Sequence, residues 1–124
     1  MFLNYFGAIL IAFFGILFVP IGLPLKLRKI KRNYLYGFKM KYTLEDDEIW
    51  YEVNALLGKQ MFYQGLAFLV LSVPFFFFPG KVFQTIVAMV FLVLGVFGCV
   101  GYSIYTGMKL MKKMAREKGL LEEK

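Results

Sequence analysis

The polar side chains able to hold a ligand gather between residues 31 and 58, where Asn33, Lys39, Thr43, Trp50 and Asn54 stand between segments that are almost wholly apolar. An amide both donates and accepts, while an ammonium and an indole N–H donate. Asn33, Lys39, Trp50 and Asn54 could therefore line a polar niche for a peptide, a lipid headgroup or a partner protein. The same stretch has a structural use. Asn33 can bond its own backbone in an Asx-type turn, Gly37 can take a positive φ and Thr43 can cap a helix, which would fold a compact cap. Both uses stand open at this point. Catalysis finds less to work with: the chain has no His, one Cys, and no motif of paired metal ligands, phosphate-cradling glycines or nucleophile elbow. Glu45, Asp46, Asp47 and Glu48 suggest a metal site by composition, but four consecutive helical residues point in different directions. Helix initiation is their expected role. The reading is thus of a protein without enzymatic activity, catalytic residues, metal ligands or cofactor.

The element that positions these residues is an expected helix starting at Leu44, with Thr43 as N-cap, Asp46 as capping-box partner and the acidic residues at the positive end of the dipole. Along it Ile49, Val53, Leu56 and Leu57 form an apolar stripe, and Trp50, Asn54, Gly58 and Met61 an adjacent row. Such a helix is amphipathic and is expected to lie at the membrane surface before turning into the next span. Trp50, Tyr51, Tyr34, Tyr36 and Tyr42 carry rings suited to headgroup level.

The flanks are membrane helices by composition. The 124 residues are 60% hydrophobic and 19% aromatic, and residues 1–25, 61–80 and 82–108 contain no charge. Each such stretch can cross a hydrocarbon core, which takes roughly 20 apolar residues. The expected fold class is all-α, an integral membrane protein with three transmembrane helices and a cytoplasmic interfacial amphipathic helix between the first and second. The expected division is 1–25, first span; 26–60, basic loop and interfacial helix; 61–80, second span; 81–108, third span; 109–124, charged cytoplasmic tail. The first segment lacks the basic n-region and cleavage site of a secretory signal and reads as a retained span. Pro20, Gly22 and Pro24 are expected to disfavour continued helix, and the basic run Lys26, Arg28, Lys29, Lys31 and Arg32 to halt the span at a headgroup layer.

Orientation follows from Lys and Arg. Residues 26–60 carry eight (Lys26, Arg28, Lys29, Lys31, Arg32, Lys39, Lys41, Lys59), the Pro79-Gly80-Lys81 turn carries one and the tail six. Positive charge is retained on the cytoplasmic side, so loop 26–60 and the C-terminus are expected in the cytoplasm, and the N-terminus outside, in a multi-pass protein of the cell membrane. The net charge of +7 then points to membrane lipid as partner, with Lys26, Arg28, Lys29, Lys31 and Arg32 as anionic-lipid contacts, and not to nucleic acid.

Within the spans, Pro74 is expected to weaken or kink the second helix, and the Phe75–Phe78 run to face lipid. Gly95, Cys99, Ser103 and Gly107 recur every four residues and imply a helix-packing seam, within the chain or in a homo-oligomer. Among the sparse polar residues, which include Asn4, Gln64 is the expected interhelical hydrogen bond, worth about 0.6 to 2 kcal/mol. No ionisable group lies mid-span, which argues against a pump or coupled transporter.

Ile30-Lys31-Arg32-Asn33, Gly37, Lys39, Thr43-Leu44, Trp50, Asn54 and Gly58-Lys59 together resemble the SdpI-like bacterial membrane proteins, whose pattern runs Pro-Arg-Asn-x3-Gly-x-Arg-Thr-x2-Thr, then Trp-x3-Asn-x3-Gly-Lys. The spacing is kept without a gap over residues 30–59. Lys31 stands where the pattern has Pro, and Lys39-Met40 where it has Arg-Thr, so position 39 keeps its charge without a planar fork. The resemblance implies immunity to, or sensing of, a membrane-active toxin peptide, with signalling through a cytoplasmic regulator. Its implied binding motif is Asn33, Gly37, Lys39, Thr43, Trp50, Asn54 and Gly58. The rival expectations are an accessory subunit of a larger transporter or envelope complex and, more distantly, a lipid-modifying enzyme.

Overall fold

A computed structural model describes residues 5–77 and 81–120. Asn4, Phe78 and the Pro79-Gly80 part of the expected turn lie outside the described residues. Among the described residues four helices follow in order: α1 (Phe6–Lys26), α2 (Lys41–Glu45), α3 (Asp47–Phe77) and α4 (Lys81–Glu117). α1, α3 and most of α4 are long and apolar enough to cross a membrane. At ~1.5 Å per residue they extend about 32, 46 and 55 Å, so α3 and α4 outrun a hydrocarbon core of about 30 Å.

α1 does not stop at its prolines. Pro20 and Pro24 both lie inside the helix, as membrane helices permit when the freed carbonyls find other partners. Closure comes at Arg28, which takes φ 59°. The Arg28 N–H then bonds the Leu25 carbonyl (3.1 Å) and the Lys29 N–H the Pro24 carbonyl (3.0 Å), the two bonds of a Schellman motif. α4 ends in the same way at Gly119 (φ 72°). There the Gly119 N–H reaches Arg116 (3.1 Å) and the Leu120 N–H reaches Ala115 (2.8 Å).

The helix around the acidic run starts later than Thr43 predicts. Residues Lys41–Glu45 form one separate turn, and Thr43 sits inside it with its Oγ1 accepting the Met40 N–H (2.8 Å). Asp46 is extended (φ −140°, ψ 124°) and its Oδ1 accepts the Ile49 N–H (3.0 Å), so Asp46 is the N-cap of α3. α3 then runs unbroken across Pro74 to Phe77. The expected amphipathic helix is its first three turns and no turn separates it from the second span.

α1 and α3 pack antiparallel with their backbones touching. A Cβ on Gly22 would lie 2.7 Å from the Gly58 carbonyl oxygen and one on Gly58 2.6 Å from that of Gly22; Gly15 and Gly65 make the same reciprocal approach at 2.8 and 3.0 Å. Each helix thus carries two glycines seven residues apart on its facing side, which permits close approach of membrane helices. The α4 seam is different. Gly95 faces the Phe68 ring at 3.3 Å and Gly107 the Leu57 side chain at 3.2 Å, Ser103 and Cys99 are half-buried, and Gly98 and Gly101 meet nothing within 4 Å. Side chains fill that face, not a neighbouring backbone.

Two apolar cores result. Ile11, Phe68, Ala88 and Leu92 pack mid-span with Phe75 and Phe91 around them, whereas Phe76 and Phe77 are exposed. Ile49, Val53, Met111 and Ala115 pack at the loop end. The second core draws in the start of the charged segment 109–124, because α4 continues to Glu117 and buries Met111 and Ala115. The α3–α4 polar bond is made by Gln60 Nε2 and Thr106 Oγ1 (3.0 Å). Gln64, one turn further along α3, instead lines a cavity.

Candidate functional site

The loop between α1 and α2 is organised by Asn33. Its Oδ1 accepts the N–H groups of Leu35 (2.8 Å) and Tyr36 (2.7 Å), and its Nδ2 donates to the carbonyls of Lys31 (2.7 Å) and Tyr36 (3.2 Å). This is the Asx-type turn that the sequence predicts. It directs Tyr36 inward, where the hydroxyl donates to the Ile21 carbonyl of α1. Burial pushes the Tyr36 phenol up from its ordinary pKa and keeps it a donor.

Three motif residues then close on one another. Gly37 takes φ +123°, and a Cβ there would lie 2.8 Å from both Asn54 Oδ1 and Trp50 Cη2. Asn54, 2% exposed, accepts the Phe38 N–H with Oδ1 and donates from Nδ2 to the Trp50 carbonyl (2.9 Å). Trp50 is fully buried, and its indole N–H donates to the Ile30 carbonyl (2.9 Å). Trp50 therefore faces the protein interior and not the headgroups. Thr43, also fully buried, sits between the carbonyls of Phe38 (3.1 Å) and Met40 (2.9 Å). Lys39 stays at the surface with its Nζ on the Tyr34 carbonyl (2.9 Å). Asn33 thus spends its hydrogen bonds within the loop, Trp50 and Asn54 spend theirs on tying the loop to α3, and Tyr36 ties it to α1. Gly37→Ala should cost about 1 to 3 kcal/mol, because an L residue is strained at this φ and its methyl strikes two buried side chains. Faster proteolysis after Lys31, Arg32 or Lys39 in the variant would register it.

The lock floors a cavity of about 320 Å³. Its walls are Phe18, Ile21 and Leu25 of α1, Leu57, Met61 and Gln64 of α3, and Val100, Ser103 and Ile104 of α4; Tyr36, Gly37, Phe38 and Asn54 close one end. From Asn54 to Gln64 the cavity follows α3 for about 15 Å at ~1.5 Å per residue. Apolar side chains make most of the surface, and the amide of Gln64 and hydroxyl of Ser103 are the polar groups on the helical walls away from the lock. Pockets of this kind take apolar ligands and orient them through a few polar groups. Neither Gln64 nor Ile104 belongs to the motif, and periodicity gave no sign that α1 and α4 stand apart at this level.

Charge is distributed around the same end. Arg28 pairs with Glu52, Arg32 Nε with Asp47 (3.3 Å), and Lys26 Nζ lies over the Phe62 ring at 4.5 Å. Of the five cations expected against lipid, Lys29 and Lys31 are the exposed ones without an ion pair among the described residues. Lys118 bridges Asp46 (3.1 Å) and Glu48 (2.6 Å), fastening the end of α4 to the start of α3. The Ile49 N–H, then Lys118, hold the Asp46 carboxyl below the usual carboxylate range. A depressed native pKa stabilises the fold above the unfolded value of about 3.9 and loses that stabilisation as pH falls through the native value. Acidification below about pH 4 should therefore loosen the α4 terminus, while Asp46→Asn should reduce the pH dependence, Glu48 keeping its own pair with Lys118. The effect is modest, as for exposed pairs generally. Hydrogen exchange of residues 111–119 against pH reads it.

Three membrane-length helices, a polar lock at one end and a largely apolar cavity beside it define a multi-pass helical membrane protein. Residues 29–105 match the model of the SdpI/YfhL protein family, and the chain belongs to that family. No curated protein and no solved structure matches it.

Proposed function

We propose that this family member binds a membrane-active toxin peptide, without catalysis, and so confers immunity to it or senses it. The observation that carries the reading is the cavity floored by the motif: a largely apolar site placed beside the lock that family residues build. A peptide already dissolved in the bilayer pays little further desolvation on entering such a site, and Gln64 and Ser103 can orient its backbone. The excess of Lys and Arg on the loop and the α4 end supports a cytoplasmic position for both, with the N-terminus outside, in the cell membrane. Expression in sensitive cells should raise the inhibitory concentration of at least one peptide in a panel of membrane-active toxins. The cavity-filling Ser103→Phe variant should lose that protection at equal protein level. Equal sensitivity of expressing and empty cells across the panel sinks the proposal.

A second reading is favoured by one observation. Gly98 and Gly101 of α4 face open space, which suits an accessory subunit docking on a larger membrane complex. Purification in mild detergent discriminates, since a stoichiometric unrelated subunit belongs to this reading alone.

A further inference from the structure

The loop has two faces, and the cavity and lock use one of them. Tyr36 and Phe38 turn inward, whereas Tyr34 is 77% and Leu35 92% exposed, the latter the most exposed large apolar side chain among the described residues. Both stand outside the membrane-length helices, so bilayer contact of a span does not explain them. Nor is the tip loose. Asn33 holds it with four hydrogen bonds and Lys39 adds one to the Tyr34 carbonyl. A rigid turn that presents an aromatic and an aliphatic side chain to nothing has the form of an anchor awaiting a surface.

We propose that Tyr34 and Leu35 form a membrane-interface anchor, seated in the anionic headgroup layer beside the loop end of α1. Depth supports this occupant. The Tyr36 hydroxyl reaches the carbonyl of Ile21, five residues before the end of α1, which is about 7 Å back along the helix at ~1.5 Å per residue. The residue that follows the tip is therefore held against the last turns of α1. Charge supports it as well. Lys29 and Lys31, on the near side of the turn, are exposed, and Asp47 and Glu52 are already occupied by Arg32 and Arg28. The tip thus combines an aromatic ring, an aliphatic side chain and unneutralised cations, the chemistry of an anionic interface. The anchor would fix the loop that floors the cavity, without contributing to the cavity wall.

Leu35→Trp in the full chain, reconstituted in nanodiscs of phosphatidylglycerol and phosphatidylcholine, tests the anchor. So exposed a side chain can be replaced without loss of packing, and the unsubstituted protein, whose single Trp is Trp50, supplies the reference emission. The added indole should emit to the blue of a water-exposed one and lose intensity when the lipid chains are brominated, more so with phosphatidylglycerol present. Lys29→Gln with Lys31→Gln should abolish that lipid preference. Emission at the water-exposed wavelength, quenched by aqueous acrylamide and indifferent to bromine, overturns the anchor and leaves the tip to a soluble protein partner. Quenching that is equal in both lipids and unmoved by the lysine changes overturns the anionic part.

Discussion

Trp50→Ala should be among the most damaging single substitutions in the chain, lowering stability by about 3 to 5 kcal/mol as large-to-small changes at fully buried aromatics do. The indole is wholly enclosed, and two things rest on it: the Ile30 carbonyl takes its N–H, and Gly37 packs against its ring. Packing and hydrogen bonding can be separated. Trp50→Phe keeps much of the ring volume but leaves the Ile30 carbonyl without its donor, a loss of about 1 to 3 kcal/mol. The expected order of melting temperatures in detergent is therefore wild type, then Trp50→Phe, then Trp50→Ala, with the loop cut fastest by trypsin in the last. If Trp50→Ala melts like the wild type and its loop stays protected, the lock does not hold this end of the bundle together.

Gly58→Val is expected to rival it, for the opposite reason. The first carbon of any side chain at 58 would lie 2.4 Å from the Lys26 backbone nitrogen and 2.6 Å from both the Gly22 oxygen and the Leu25 Cβ. Backbone atoms cannot rotate away, so α1 and α3 must part. Overpacking costs about 1 to 3 kcal/mol and occasionally more. Here the upper end is expected, because separation at Gly22 and Gly58 also strains the reciprocal contact of Gly15 and Gly65. Gly98→Ala provides the control. Nothing stands within 4 Å of its new methyl, so the change should be neutral or stabilising by up to about 1 kcal/mol, the difference between Gly and Ala in a helix. A Gly58 variant no less stable than the Gly98 variant would show that the glycine crossing is not what sets the α1–α3 distance.

Those two results concern different degrees of legibility. Three apolar spans could be read directly, because bilayer thickness imposes a length and a composition that local sequence must satisfy. The Asn33 turn and the positive φ of Gly37 were legible too, being short-range chemistry. Boundaries were not. Thr43 and Asp46 are both good caps, and the choice between them fell to Asp46 because Thr43 spends its hydroxyl on the Met40 N–H. Prolines that end a helix in water sit within α1, whose end is drawn by a left-handed Arg28 that local propensity would not nominate. The glycine crossing had a signal, a spacing of seven in both helices, but the eye falls on the denser small residues of α4. The burial of Asn54 against Phe38, and of Met111 against the start of α3, depends on which elements meet, and a single sequence leaves that unstated.

The proposed binding site for a membrane-active peptide is the cavity that the lock floors. The most direct measurement is binding of a fluorescent toxin peptide, chosen as one against which expression protects cells, to purified protein in nanodiscs. Saturable binding to wild type, weakened at least about tenfold, or ~1.4 kcal/mol, by Ser103→Phe at unchanged melting temperature, is the predicted result. Binding that is identical for wild type and Ser103→Phe, or no greater than to empty nanodiscs, would contradict it.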